Sequence, residues 1–406
     1  GGAQNSASTY FSYALATARS GDYAAAAEIY QDIAAKYPGT SQADEAIYKI
    51  PYMAFDAKNW ADAIAGFDLY KQKNPKGKFL TDARWFSAWA TYKLRGAEAV
   101  PAFEAVISGG GDAERVVAAR YWKARLQNDE SALRKLLSDS PTSPYAWFVQ
   151  QRLGIAAPTL AEDPVAPAFP AGFVEARPSL KTAMLLLDGG MADWAGPLLR
   201  SHVEAAKSAG KEASIAMAWV LLSAEDYQGA KDLAAPYCSS SAAARAACYP
   251  RPHHHTVQSL AAEAGLDPLL PYAIMNAESG LDPSVTSPAG ARGLMQLMPQ
   301  LAADLAVDLP NFHVDQLYHA GVNARLGTRE LGQLQRHFQN ATLQPSLPLV
   351  IAGYNGGSEA VDRWLAGYPQ RPAIDEFCEE ISFTETRRYV RRVLGYLMQY
   401  RRAYGG

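Results

Sequence analysis

Tyr23-Ala24-Ala25-Ala26-Ala27-Glu28-Ile29-Tyr30 returns 37 residues later as Trp60-Ala61-Asp62-Ala63-Ile64-Ala65-Gly66-Phe67. The Ala61 to Phe67 part of that stretch returns 36 residues further on as Ala97-Glu98-Ala99-Val100-Pro101-Ala102-Phe103. Small residues on one helix face with an aromatic a turn later, at a period near ~34 residues, are the pattern of tetratricopeptide-like helical hairpins. The small side chains let neighbouring helices approach, and the aromatics fill the gap between hairpins. Breaks at Tyr37-Pro38-Gly39 and Asn74-Pro75-Lys76-Gly77 fall where each unit must end. The expected fold class is therefore mainly α, with residues 1–154 forming a helical superhelix.

Beyond it, residues 155–178 carry Pro158, Pro164, Pro167, Pro170 and Pro178 and almost no helical period, which reads as a linker or a surface-hugging extended segment. Helical patterning resumes at Leu180, with units beginning near Met191-Ala192-Asp193-Trp194 and Glu225-Asp226-Tyr227, so the superhelix is expected to continue over residues 179–249. Tyr249-Pro250-Arg251-Pro252 breaks the chain, and 250–406 forms a further domain. Alanine marks the change: 56 of the 74 alanines lie in the first 250 of 406 residues. Close-packed helices account for the first part, and something different must follow.

Composition excludes several classes of function. With 49% hydrophobic residues the chain can bury a sizeable core. Its 38 basic and 41 acidic residues give a net charge of -3, so no basic field exists to hold a nucleic-acid backbone. The most apolar stretch, Ser214 to Leu222, is far shorter than the ~20 residues needed to cross a bilayer, and reads as a buried helix rather than a transmembrane segment. The sequence opens with Gly1-Gly2-Ala3-Gln4 and no methionine, so any export signal is expected to have been removed or never to have been part of it, which says nothing about compartment. Cys238 and Cys248 flank a short Ser/Ala stretch and could close a small loop in an oxidising compartment, the alternative being two free thiols. His253, His254 and His255 are consecutive and cannot all face one ion from a regular element, so they read as a loop, and no metal or cofactor is implied.

The chemistry lies after residue 250. Asp267-Pro268 is a helix start, an N-cap followed by proline where its missing N–H costs nothing, and Gly280 is a stop. Glu278 then sits in the last turn of a largely buried helix. The negative end of the helix dipole and partial desolvation both favour its protonated form, which general-acid catalysis needs. Asp282, followed by Pro283 after the stop, reads as a local turn rather than a second catalytic carboxylate. In the run Ser287-Pro288-Ala289-Gly290-Ala291-Arg292-Gly293-Leu294-Met295-Gln296, small residues bring backbone close to a cleft. Gln296 can hydrogen-bond a neutral polar ligand there, and Met295 can pack on its apolar face. Tyr354-Asn355-Gly356-Gly357 sets polar side chains in another glycine-rich corner. The run Glu379 to Val390 opens a final helix whose Arg387, Arg388, Arg391, Arg392, Arg401 and Arg402 read as solvated or paired to nearby acids.

Together and in this order, four motifs resemble the soluble lytic transglycosylases, exported enzymes that cleave the glycan strands of peptidoglycan. They are Glu278-Ser279, the Ser287 to Gln296 run, Tyr354-Asn355, and Glu385-Thr386-Arg387-Arg388-Tyr389-Val390. The resemblance is close after residue 250 and loose before it, where Ala119 to Arg125 and Tyr145 to Leu153 look like that family's superhelix. It departs from the family at Asn276-Ala277, where arginine and glutamine are usual, and at Ser382, where proline is.

The resemblance implies a lysozyme-like, mostly helical catalytic domain in a periplasmic monomer, with peptidoglycan strands as substrate and the helical repeats open to protein partners. Glu278 would be the sole catalytic acid and base. It would cleave the β-1,4 bond between N-acetylmuramic acid and N-acetylglucosamine to leave a 1,6-anhydro sugar, without consuming water. A single carboxylate suits that reaction, whereas glycoside hydrolysis usually employs two. Ser287 and Tyr354 match positions that orient the substrate's N-acetyl group, and Met295, Gln296, Asn355 and Glu379 match the cleft lining. The competing readings are a hydrolytic muramidase resembling goose-type lysozyme, and a peptidoglycan-binding scaffold that grips glycan without cutting it.

Overall fold

A computed structural model describes residues 2–160, 164–340 and 343–405. Among them the secondary structure is helical, with three isolated antiparallel bridges and no extended strand. The chain folds as two compact units, Gly1–Val149 and Gln150–Gly406.

In the first unit the repeated sequence positions do what their spacing predicts. Helices Tyr23–Lys36, Trp60–Lys73 and Val100–Gly109 pair with Ser41–Asp56, Leu80–Arg95 and Ala113–Leu126, respectively. The recurring small residues Ala26, Ala63 and Ala99 and the recurring aromatics Tyr30, Phe67 and Phe103 are all fully buried. Each such ring stabilises the unit by about 2–3 kcal/mol on leaving water. The helices come close at Gly66, where a Cβ would lie 2.7 Å from Cβ of Pro51 on the neighbouring helix. Asp22, Thr40 and Asp129 cap the helices that follow them by accepting the N–H of Ala25, Ala43 and Ala132. The third repeat differs from the first two. Pro101 falls in the first turn of its helix, and residues Gly96–Ala99 before it form a separate 3-10 turn.

In the second unit, helices Pro178–Asp188, Ala192–Arg200, Lys211–Ser223, Tyr227–Ala234 and Ala242–Cys248 share a core built on Leu180, Leu199, Met217, Leu221 and Leu233. The apolar stretch from Ser214 lies in a buried helix, as expected. Cys238 and Cys248 form a disulfide, with Cα atoms 6.0 Å apart, and Cys378 is a buried free thiol. The proline-rich stretch hugs this core. Phe173 is buried, its ring stacked on Phe169 at 5.2 Å, and Leu160 bridges to Gly405. Residues 161–163 of the expected 155–178 segment lie outside the described residues. Among the described residues no helix is long and apolar enough to cross a membrane.

The histidine triplet is not a loop. His253, at a left-handed φ of 50°, precedes helix His254–Glu263, and His254 and His255 occupy its first turn. A left-handed residue there reverses the chain after Pro252 and lets the helix start at once. The remainder of the unit contains the Glu278 helix (Leu270–Ser279), the Asn323 helix (Ala320–Phe338), the Tyr354 helix (Leu347–Gly356), a short Ile374–Glu380 helix and the C-terminal helix (Thr384–Tyr404). The C-terminal helix packs against the Glu278 and Tyr354 helices and against Ala242–Cys248.

Candidate active site

The Glu278 helix begins at Leu270, two residues later than Asp267-Pro268 predicts. The Asp267 carboxylate accepts the N–H of Leu269 at 2.9 Å but is also drawn to Arg401 at 2.7 Å. Pro271, not Pro268, is therefore the proline of the first turn. The stop is as expected, Gly280 taking the left-handed conformation at φ 66°. Ser279 Oγ donates to the Leu294 carbonyl at 2.8 Å, which ties the end of the helix to the loop that follows.

Burial pushes the Glu278 carboxyl up from its ordinary value, and the like charge of Glu385 adds to it. The Tyr389 hydroxyl and the Arg392 guanidinium pull the other way, and burial wins. Tyr389 is 1% exposed, and its hydroxyl approaches the Glu278 carboxyl without closing a hydrogen bond of full geometry. Tyr354 stands close enough to feel the charge of Glu278 and of Glu330, and burial holds its hydroxyl well above the usual phenol range. Glu330, on the Asn323 helix, is itself raised by burial. Glu278 is thus a half-buried acid close to the Tyr354 and Tyr389 hydroxyls, a setting that favours its protonated form.

The loop from Ser287 to Gln296 is folded by its own hydrogen bonds. Ser287 Oγ accepts the N–H of Ala291 at 3.0 Å, and bridges join Thr286 to Arg292 and Arg292 to Leu297. Gly293 is required: at φ 76° an added Cβ would lie 2.1 Å from the Leu317 carbonyl oxygen. Asn323, fully buried, accepts the Met295 N–H at 2.8 Å and donates to the carbonyls of Arg292 and Leu317. Asp282 accepts from both the backbone and the hydroxyl of Ser284, the turn role its sequence suggests.

Of the residues expected to line the cleft, Met295 and Glu379 are placed differently, and Gln296 and Asn355 have part of their hydrogen-bonding capacity engaged. Met295 was expected to line a cleft, but its side chain is fully buried against Gly327, so what it contributes is its carbonyl, which accepts the Tyr354 hydroxyl at 2.8 Å. Glu379 is likewise buried, at 7% exposure, where Arg391 of the C-terminal helix holds it in an ion pair. Gln296 donates its amide nitrogen to the Val285 and Gly293 carbonyls, so its carbonyl oxygen is the group it can offer a ligand. Asn355 accepts the Thr386 hydroxyl at 2.7 Å, which leaves its amide N–H groups as donors.

Sequence reasoning missed Tyr389 and Arg392 as individual site residues, although both lie in segments it singled out. Their signal was the spacing: Glu385, Tyr389 and Arg392 are i, i+4 and i+7, one face of a helix. Two pockets lie elsewhere. One, of about 560 Å³, is lined by Glu104, Arg120, Lys123 and Lys135, and one of about 440 Å³ by Phe169, Met184 and Trp219. Neither contains Glu278.

With this geometry in hand, comparison with known proteins is specific. The signature of the Transglycosylase SLT domain matches residues 255–377, and that of an Outer membrane lipoprotein family matches residues 3–167. Over residues 255–377 the chain is therefore similar to the soluble lytic transglycosylases, and it carries an SLT domain there. It is 37% identical over 136 residues to the soluble lytic murein transglycosylase of Salmonella typhimurium, a match covering 33% of this chain and 20% of that protein. With the enzyme of the same name from Escherichia coli it is 37% identical over 132 residues, 32% of this chain and 20% of that one. The matched region thus spans about a fifth of the length of these relatives. An inactive variant of the lytic transglycosylase Slt from Pseudomonas aeruginosa shares the fold, with a TM-score of 0.64 at 23% identity over 93% of this chain and 60% of that one. The expected class, a tetratricopeptide-like superhelix followed by a lysozyme-like helical domain, is the class observed. The C-terminal helix, with Tyr389 and Arg392, lies beyond the matched residues of the SLT domain.

Proposed function

We propose that this chain is a lytic transglycosylase that cleaves the β-1,4 bond between N-acetylmuramic acid and N-acetylglucosamine of peptidoglycan, with Glu278 as acid and then base. The observation that carries the reading is Glu278 itself, a carboxyl raised by burial between Tyr354 and Tyr389 in an SLT domain. Protonated Glu278 gives its proton to the glycosidic oxygen as the bond from C1 to that oxygen breaks. The carboxylate then takes the proton of the muramic C6 hydroxyl as that oxygen closes on C1. The products are a free sugar hydroxyl and a 1,6-anhydro ring, with no water consumed. Ser287 and Tyr354 are assigned to the substrate's N-acetyl group, and the Gln296 carbonyl and Asn355 amide to hydrogen bonds with the sugar. Met295 backs Tyr354 through the carbonyl that accepts its hydroxyl, and Glu379 pairs with Arg391 of the C-terminal helix. A periplasmic setting fits both the substrate and the Cys238–Cys248 disulfide. The repeats of residues 1–154 are assigned to holding the strand or a protein partner.

Hydrolysis has one observation in its favour, the like charge of Glu385 beside Glu278. Glu385, however, is exposed in the first turn of the C-terminal helix, where it meets solvent. Mass spectrometry of released muropeptides separates the two: anhydro products are lighter by one water, and reducing-end products alone would refute the proposal. Glu278→Gln should lower turnover about 10²- to 10⁴-fold, and retention of full wall-degrading activity would remove Glu278 from the mechanism.

A further inference from the structure

The end of the Glu278 helix is gripped by a side chain from outside the SLT domain. Lys231, on helix Tyr227–Ala234, donates from Nζ to the Gly280 carbonyl at 2.8 Å and to Asn276 Oδ1 at 2.9 Å. Asn276 is 4% exposed and passes the contact on, donating from its amide nitrogen to the Tyr400 hydroxyl at 3.1 Å. Tyr400 donates in turn to the Pro250 carbonyl at 2.9 Å. One ammonium thus sits on both sides of Glu278 in sequence, holding residue 276 by its side chain and residue 280 by its backbone.

The arrangement is unusual for a packing tie. Lys231 is half-buried, and burial draws its pKa down, against only a weak opposing effect of Asp232. The Asp232 carboxylate is itself engaged by Gln228 at 2.7 Å, and both hydrogen-bond acceptors of Lys231 are neutral. A cation taken partly out of water onto neutral acceptors is costly unless its place matters. Its place is the carboxyl end of a helix, where positive charge opposes the dipole and the last carbonyls lack partners.

We propose that Lys231 is a positioning residue for Glu278: its ammonium clamps Asn276 and Gly280 and so fixes the last helical turn on which the catalytic carboxyl stands. This rests on the assignment of Glu278 as the acid. In that case the helical hairpins before residue 250 complete the active site as well as any strand-binding surface, because the clamp comes from helix Tyr227–Ala234.

The test is steady-state kinetics of the full chain on soluble glycan strands, with melting curves to keep every assay below unfolding. Lys231→Met keeps the stem and removes the donor, and should lower kcat about 10- to 100-fold with KM changed less than twofold, since small misplacement of a catalytic group acts on turnover. Lys231→Arg, which keeps charge and donors, should restore most of kcat. A residue that merely stabilises the fold would lower the melting temperature and leave kcat of the folded protein intact, and that result overturns the proposal. Should the methionine variant fail to fold, Lys231→Gln serves instead, and a wild-type kcat there also overturns it. Failure of the wild-type protein to cut glycan would refute the assignment of Glu278, whereas an active wild type with indifferent Lys231 variants refutes the clamp alone.

Discussion

Glu278→Gln should stabilise the protein at alkaline pH, leave its stability unchanged at acid pH, and lower turnover about 10²- to 10⁴-fold at both. Burial raises the folded-state pKa of Glu278 above its ordinary 4.5. An acid shifted in this direction weakens the fold above its folded pKa, where the carboxylate must be held in a half-dry site. Below 4.5 it has no effect, because folded and unfolded chains both keep the proton. Glutamine never ionises, so its advantage opens as pH rises through the folded pKa of the glutamate. A buried polar group short of partners costs roughly 1–3 kcal/mol, and the partial help of Tyr389 and Arg392 places Glu278 at the lower end, ~1–2 kcal/mol. For a unit of this size that is about 2–6 °C in melting temperature. Scanning calorimetry of both proteins from pH 4 to pH 9 reads it directly. A gap of the same size at both ends, or a glutamine variant less stable at pH 9, would show that Arg392 outweighs burial and that the carboxyl is not held protonated.

The alkaline limb of kcat/KM should report the protonated Glu278, so two neighbours must move it in opposite directions. Tyr389→Phe removes a group that favours the carboxylate and shifts the limb to higher pH, while Glu385→Gln removes a like charge and shifts it lower; pH–rate profiles moving the same way would contradict this electrostatic account. Glu379→Ala leaves Arg391 buried without its carboxylate and should cost about 3–5 kcal/mol in urea titrations, most of it recovered in the Glu379→Leu/Arg391→Leu pair. Gly293→Ala meets both a φ of 76° and the Leu317 carbonyl, and should cost roughly 2 kcal/mol or more with loss of turnover. An unchanged melting temperature would mean that the loop has room to yield. Thiol alkylation should label nothing in the native protein, Cys378 alone after unfolding, and all three cysteines after unfolding with reductant.

What the sequence made legible follows a physical divide. Periodic features are local, so Ala26, Ala63, Ala99, Tyr30, Phe67 and Phe103 were readable as one stacked core. The elevated proton affinity of Glu278 was readable too, because a helix end and an apolar helix face are both local facts. Partners distant in sequence were not. Met295 and Glu379 carry motif positions yet turn inward, towards Gly327 and Arg391, and nothing near them in the chain announces it. The start at Leu270 was missed for the same reason, since Arg401 lies 134 residues beyond the Asp267 it engages. Lys231 is the extreme case, its two acceptors lying 45 and 49 residues away.

The C-terminal helix supplies Tyr389 and Arg392 to Glu278 at one end, while at the other Tyr404 donates to the carbonyls of Ala246 and Tyr249 and Arg401 reaches Gln150. A single helix therefore both completes the surroundings of the acid and fastens them to the helical layer that precedes residue 250. Any cut within this helix would separate Glu278 from the side chains that surround it and from the layer that holds them in place.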